Sequence, residues 1–160
     1  MNKLSELLDL HKDLDEMFLA QQYALLHFDF KSALSILMKY ESALLTHIKD
    51  EEEILLPIYK EHACIIKGGN AQLFLDEHLK MLGWVEFFNE HIARLANESS
   101  PESDLILLLD RESFYKRLCS HHDKRETDIL YPELDRITSD AEKLELLSRV
   151  TCSFSMSKAA

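Results

Sequence analysis

Two short segments of the chain place a histidine four residues before a glutamate: His47 before Glu51, and His122 before Glu126. Residues four apart lie on the same face of an α-helix, so the two side chains of each pair point the same way. Both pairs fall on the apolar stripe of their segment. Burying imidazole and carboxylate groups together is unfavourable unless a partner compensates, and a metal ion is such a partner. The spacing therefore predicts metal ligation.

The two motifs belong to an internal repeat with a constant offset of 75 residues. The matching positions are Tyr40 and Tyr115, His47 and His122, Glu51 and Glu126, and Pro57 and Pro132. A further histidine lies upstream of each motif, His11 in the first half and His78 in the second. In each half the two histidines are equidistant from the turn between them, so a helical hairpin brings them to one level. We therefore predict six metal ligands: His11, His47, Glu51, His78, His122 and Glu126.

Helical spacing of apolar residues and well-separated turn signals divide the chain into four long helices and a short one. We expect the first helix over about 3–27, the second to begin after a cap at Asp29, and the third to begin near Ala71. The fourth should begin after a cap at Ser100, with Pro101 as its first residue, and run to about Arg136. The fifth should run from the Ser139–Glu142 capping box to about Val150. The predicted core stripe of the second helix is Ala33, Leu37, Tyr40, Leu44, His47, Glu51, Ile54 and Ile58. Pro57 and Pro132 are expected to bend or end their helices.

The predicted fold class is all-α, an up-down-up-down four-helix bundle with a short fifth C-terminal helix. A chain of 160 residues with 46% hydrophobic and 29% charged residues suits one domain, predicted over 1–152 with a frayed tail at 153–160. The net charge of −11 disfavours nucleic-acid binding. We find no continuous apolar run in the sequence that would predict a membrane span or a secretory signal. Three widely spaced cysteines indicate free thiols, so we expect a cytoplasmic protein.

The six predicted ligands give each hairpin two imidazoles and one carboxylate, a donor set that suits iron, manganese or zinc. If both glutamates bridge, each metal has two nitrogens and two oxygens from the protein. An oxide or hydroxide bridge would add a fifth ligand to each metal and leave one position on each metal open for a small molecule. His121, five residues before Glu126, is an alternative to His122, although the repeat favours His122.

At these residues the chain resembles the hemerythrin-like family of HHE cation-binding domains. The resemblance covers about 4–136 and rests on His11, His47-Ile-Lys-Asp-Glu51, Glu77-His78 and His122-Asp-Lys-Arg-Glu126. It implies a four-helix bundle with a non-haem centre of two iron ions, in which the four histidines are terminal ligands and Glu51 and Glu126 bridge. Phe74 stands where oxygen-carrying hemerythrins have a fifth histidine, and the last helix has HxxxE instead of HxxxxD. The pattern is more similar to bacterial di-iron proteins implicated in iron–sulfur cluster repair, without their small N-terminal cysteine-bearing domain.

The function expected from this resemblance is binding or reduction of O2, NO or peroxide in oxidative or nitrosative stress defence, including iron–sulfur centre repair. The alternatives are a sensor or iron buffer without turnover, and an interaction module with a structural metal. Tyr40 and Tyr115 are core residues or have a redox or gating role. Cys119 is expected to be only a neighbour of the site. Trp84, Phe87 and Phe88 belong to the core or cover a homodimer surface.

Overall fold

The computed structural model describes residues 3–64 and 66–151, and within these ranges the chain is all-helical, without a strand. A 3₁₀ turn at Leu4–Leu8 leads into the first α-helix. The α-helices are α1 (Asp9–Leu26), α2 (Phe30–Asp50), α3 (Leu56–His62), α4 (Ala71–Leu95), α5 (Glu102–Arg125), α6 (Tyr131–Ile137) and α7 (Asp140–Arg149). The tail predicted at 153–160 and Cys152 lie outside the described residues. Among the helices of the described part, none is long and apolar enough to cross a membrane.

The helix starts follow the caps that the sequence predicts, with one exception. The carboxylate of Asp29 accepts the backbone N–H of Ser32 at 3.1 Å, and the Ser139–Glu142 capping box forms in both directions. The fourth long helix begins one residue later than expected, at Glu102. Pro101, and not Ser100, occupies the N-cap position, and its carbonyl accepts the N–H of Leu105 at 2.8 Å.

The two prolines neither end nor interrupt the helical path, which continues through α3 and α6. Instead a π turn precedes each proline, at Glu51–Leu55 and Glu126–Leu130. The N–H of Leu56 bonds the carbonyl of Glu51, and the N–H of Tyr131 bonds that of Glu126, five residues back in both cases. A proline has no N–H and its ring crowds the carbonyl four residues earlier, which accounts for a widened turn at this point.

The π turn shifts the buried face by one residue and corrects the predicted stripe of the second helix. Beyond Glu51 the buried residues are Leu55, Leu56 and Tyr59, whereas Ile54 and Ile58 are only half-buried. A regular helix would bury positions three and seven residues after Glu51, but the extra residue of the wide turn moves the inward direction to positions four and eight.

Two apolar clusters form the core, and the predicted ligands lie where the two clusters meet. One cluster contains Leu10, Ile48, Met81 and Tyr115, together with the residues toward the α1–α2 and α4–α5 turns. The other contains residues toward the opposite end: Leu4, Leu7, Leu55, Leu56, Tyr59, Phe74, Leu130, Tyr131, Leu134, Leu146 and Val150. Helix α7 packs on the Glu51–Leu55 turn and adds Leu146 to this second cluster.

Candidate metal centre

The structure brings all six predicted ligands together in the layer between the two apolar clusters. His11 comes from α1, His47 from α2, His78 from α4 and His122 from α5. Glu51 and Glu126 are each the first residue of a π turn. Five of the six residues are buried, and the His11 side chain is 11% exposed. The paired π turns therefore lie where the two carboxylates enter the core, a placement often found at functional sites.

The ligand atoms form two groups, and within each group all of them lie within 4.8 Å of one another. One group consists of His11, His47, Glu51 and Glu126, and the other of His78, His122 and the same two glutamates. Two donors that lie about 2.1 Å from one ion are roughly 3.0–3.4 Å apart when adjacent and about 4.2 Å apart when opposite. The atoms of these groups therefore lie close enough together that they could hold a metal ion.

Each glutamate divides its two oxygens between the two histidine pairs. Oε1 of Glu51 lies 3.6 Å from Nε2 of His47, and Oε2 lies 3.2 Å from Nε2 of His78. Oε2 of Glu126 lies 2.9 Å from Nε2 of His11, and Oε1 lies 2.6 Å from Nε2 of His122. Each carboxylate thus contacts both histidine pairs, one through each of its oxygens.

Several of these atoms are buried without a hydrogen bond to any described residue: Oε2 of Glu51, Nε2 of His78 and of His122, and both oxygens of Glu126. The close contacts of Glu126 with the two imidazoles do not have hydrogen-bond geometry. Nε2 of His11 and Nε2 of His47 lie 3.1 Å apart, close enough for one nitrogen to donate to the other. Unpartnered buried polar atoms are rare in folded proteins, and convergent imidazole and carboxylate lone pairs are what a cation requires. The residues present therefore fit a metal.

A second layer of carboxylates holds the outer nitrogens of the α4 and α5 histidines. Nδ1 of His78 lies 2.9 Å from Oε1 of Glu52, and Nδ1 of His122 lies 2.9 Å from Oε2 of Glu77. Arg125 donates to the other oxygen of Glu77 through Nε at 3.2 Å and Nη2 at 3.1 Å. Such carboxylates fix the ring orientation and tautomer of metal-binding histidines.

Two further contacts reach the α1 side of the site. Nδ1 of His11 lies 3.4 Å from Oδ1 of Asp123. The buried hydroxyl of Tyr131 donates to Oε1 of Glu51 at 2.6 Å. Sequence reasoning did not predict Asp123 or Tyr131, nor the roles of Glu52 and Glu77. The only available signal was that three of these four residues are chain neighbours of predicted ligands.

The charges of the site shift the pKa values of its histidines in opposite directions. Burial alone lowers the pKa of His122, but the nearby charge of Glu126 and the hydrogen bond with Glu77 raise it to about 11. Burial also opposes protonation of His11, where the close contact with the carboxylate of Glu126 prevails and raises the pKa to about 9. Burial lowers the pKa of His47. Protons and metal ions therefore compete for His11 and His122 at neutral pH.

The remaining histidines lie outside the two groups of ligand atoms. Of the two alternative ligands on α5, His121 is exposed, and only His122 belongs to a group of candidate ligands. His27 and His91 have Nδ1 close to backbone carbonyls, and His62 is exposed. Phe74 is buried, with its ring centroid 6.3 Å from that of His122. Trp84 and Phe87 are partly buried and pack against the core beside the buried Phe88.

Comparison of the chain with protein-family models, with curated proteins and with solved structures gives no match.

Proposed function

We propose that this protein is a non-haem di-iron protein of the hemerythrin-like kind, which binds or reduces O2, NO or peroxide in oxidative or nitrosative stress defence, including iron–sulfur centre repair. The observation that carries the proposal is the division of the glutamate oxygens, one to each histidine pair. Carboxylates shared between two ions, and supplied by facing helices, are the usual basis of two-metal sites in helical bundles.

The proposed framework is an up-down-up-down four-helix bundle of α1, α2, α4 and α5. Contacts between neighbouring helices pair their residues in opposite order, as expected for antiparallel neighbours. Between α1 and α2, His11 meets His47 and Phe18 meets Tyr40. The other neighbouring helices follow the same rule. Between α4 and α5, His78 meets His122 and Phe88 meets Tyr115; between α2 with its following turn and α4, Glu41 meets Asn89 and Glu52 meets His78. Between α1 and α5, His11 meets Asp123 and Gln21 meets Glu112.

Iron is the metal that we propose, with manganese and zinc as alternatives for the same nitrogen and oxygen donors. When bound there, iron would supply a one-electron donor and a Lewis acid. The chain's own part is to orient the imidazoles through Glu52 and Glu77 and to exclude bulk water with the two apolar clusters. The ring of Phe74 lies beside that of His122 and offers no ligand atom to a metal.

Metal analysis of the purified protein after anaerobic loading with iron tests the proposal. We expect two irons per chain, and a His122→Ala variant that retains at most one. His121→Ala is the matched control, because it removes an exposed neighbour of the same type and should retain two. A content near one per chain in the unaltered protein, or equal loss in both variants, would contradict the proposal.

Optical spectra of the reduced protein before and after O2, NO or peroxide test the reaction. Irreversible oxidation with consumption of peroxide supports the proposed defence role. A reversible adduct that forms without consumption of the added molecule supports sensing or iron buffering instead. If O2, NO and peroxide all leave the spectrum unchanged, only a structural role for the metal remains.

A further inference from the structure

A cavity of about 370 Å³ lies between α1 and α5 and is open toward solvent. Phe18, Tyr40 and Tyr115 form its aromatic wall, and Lys116 and Ser120 line its outer part. None of the six candidate metal ligands lines this α1–α5 cavity. Its size is in the range of spaces that accept small molecules.

A second, much smaller space lies further in and contacts the candidate metal centre. Its volume is about 20 Å³, and His11, His47 and His122 are among its lining residues. The small space and the α1–α5 cavity share four lining residues, Asp15, Tyr40, Cys119 and Asp123, which we call the neck. A space of this volume holds about one water-sized molecule. The two spaces therefore adjoin each other at the neck, between solvent and the candidate metal centre.

We propose that the α1–α5 cavity and the neck are the entry route of the metal centre, and that the route admits uncharged molecules of about the size of water or a diatomic gas. The route ends at the small inner space beside His11, His47 and His122. The identity of the travelling molecule rests on the proposed function, whereas the route itself rests on the two spaces and their shared residues.

The selectivity of the route follows from what lines the neck. Tyr40 is held in place by a 2.6 Å hydrogen bond between its hydroxyl and that of Tyr115. The carboxyl groups of Asp15 and Asp123 stand at the narrow part, and the amine of Lys116 lies only at the outer cavity. An anion about 8 Å from one carboxylate is repelled enough to slow its entry roughly twofold in water, and more in a partly buried passage. Anions should therefore enter more slowly than neutral molecules of equal size.

The opposite side of the centre is more closed. Glu52 covers the outer nitrogen of His78, and Phe74 packs beside His122. His78 does not line the route, whereas His11, His47 and His122 do. The route therefore approaches the centre from the side away from His78.

Labelling of Cys119 tests the route without any metal. The protein is treated at pH 9 with neutral methyl methanethiosulfonate or with its anionic sulfonatoethyl analogue, and each modified cysteine is quantified by peptide mass spectrometry. The exposed Cys64 in the same chain is the internal control. We expect the neutral-to-anionic rate ratio to be at least fivefold higher at Cys119 than at Cys64. Asp15→Asn should reduce this excess, whereas Asp9→Asn, the same change elsewhere on α1, should not. Equal ratios at both cysteines would overturn the proposal.

Nitric oxide binding to the iron-loaded, reduced protein tests whether the route leads to the metal. Cys119→Leu narrows the neck and should lower the association and dissociation rates together, each at least tenfold, with little change in affinity. Cys119→Ala is the size control and should bind at least as fast as the unaltered protein. Ser120→Trp, at the exposed outer end, is a second obstruction that does not disturb the core. Unchanged rates in both obstructed variants would overturn the route while leaving the metal centre intact. Failure to bind iron would contradict the proposed function instead, and the labelling would then decide alone on the route.

Discussion

The imidazole of His122 is held at its outer nitrogen, Nδ1, by Glu77, and its Nε2 lies 2.6 Å from Oε1 of Glu126. The equivalent outer partner of His78 is Glu52. The two outer carboxylates differ in their surroundings. The Glu77 side chain is 12% exposed and tied to Arg125, whereas that of Glu52 is 36% exposed. A fixed partner orients its histidine more strongly than one that water can replace.

Replacing Glu77 should therefore weaken metal binding more than replacing Glu52. We expect Glu77→Gln to lower the affinity of the site about 10- to 100-fold and Glu52→Gln to lower it less. Competition with a chelator of known affinity measures both. Glu53→Gln, on the exposed side of the same acidic run, is the control and should have no effect. The same loss in all three variants would contradict a specific role for Glu77.

Another buried carboxylate, Glu112, lies between α5 and α1 and belongs to neither group of candidate metal ligands. Its oxygens accept hydrogen bonds from Gln21 at 2.8 Å and from Gln22 at 2.9 Å. Burial nevertheless raises the pKa of Glu112 to about 7, against the opposing effect of the two amides. The folded protein therefore binds this proton more tightly than the unfolded chain does, and the contribution of Glu112 to stability falls as pH rises from about 4.5 to about 7.

Glu112→Gln removes the charge that burial disfavours, so its stability relative to the unaltered protein should increase with pH. We expect the difference in unfolding free energy between the two proteins to change by about 2–3 kcal/mol between pH 4.5 and pH 8. Urea unfolding at several pH values measures this difference, in which the shared contributions of the histidines cancel. A difference that does not depend on pH would show that Glu112 has an ordinary pKa.

At the scale of elements, the two π turns determine where the carboxylates of Glu51 and Glu126 enter the core. Each turn begins at its glutamate and ends two residues before its proline. The proline prevents the regular hydrogen-bond pattern, and the resulting extra residue sets the direction of the following buried side chains. The repeat thus uses the same device twice.

Pro132→Ala restores an N–H and removes the ring, so the regular helical pattern can replace the π turn. We expect the metal-free protein to keep or increase its helical circular dichroism signal and its melting temperature, while the metal affinity falls at least tenfold. Pro101→Ala, at the start of α5, is the control and should keep the affinity. Unchanged affinity in Pro132→Ala would mean that the wide turn is not needed to position Glu126.

The sequence predicts those parts of the fold and site that depend on local periodicity. The caps at Asp29 and Ser139 follow from side chains acting on their own turn, and the convergence of the six ligands follows from helical spacing and matched hairpin lengths. The shift from Ile54 to Leu55 could not be predicted, because a proline is compatible with a bend, an end or a widened turn. The partnership of Tyr131 with Glu51 joins residues 80 apart and depends on side-chain directions that only the packed helices define.

At the scale of the whole molecule, the candidate centre connects the two halves of the repeat. Each histidine pair belongs to one hairpin, but each group of ligands includes a glutamate from the other hairpin. The centre also lies where the two apolar clusters meet, so the candidate ligands form one layer across the core. A shared pair of ions would therefore hold the hairpins together.

Anomalous X-ray diffraction from crystals of the iron-loaded protein, collected at the iron edge, tests this account most directly. We predict two peaks per chain, roughly 3–4 Å apart. One peak should contact His11 and His47, the other His78 and His122, and each should contact one oxygen of Glu51 and one of Glu126. A single peak in the core, or peaks bound only to surface carboxylates, would contradict it.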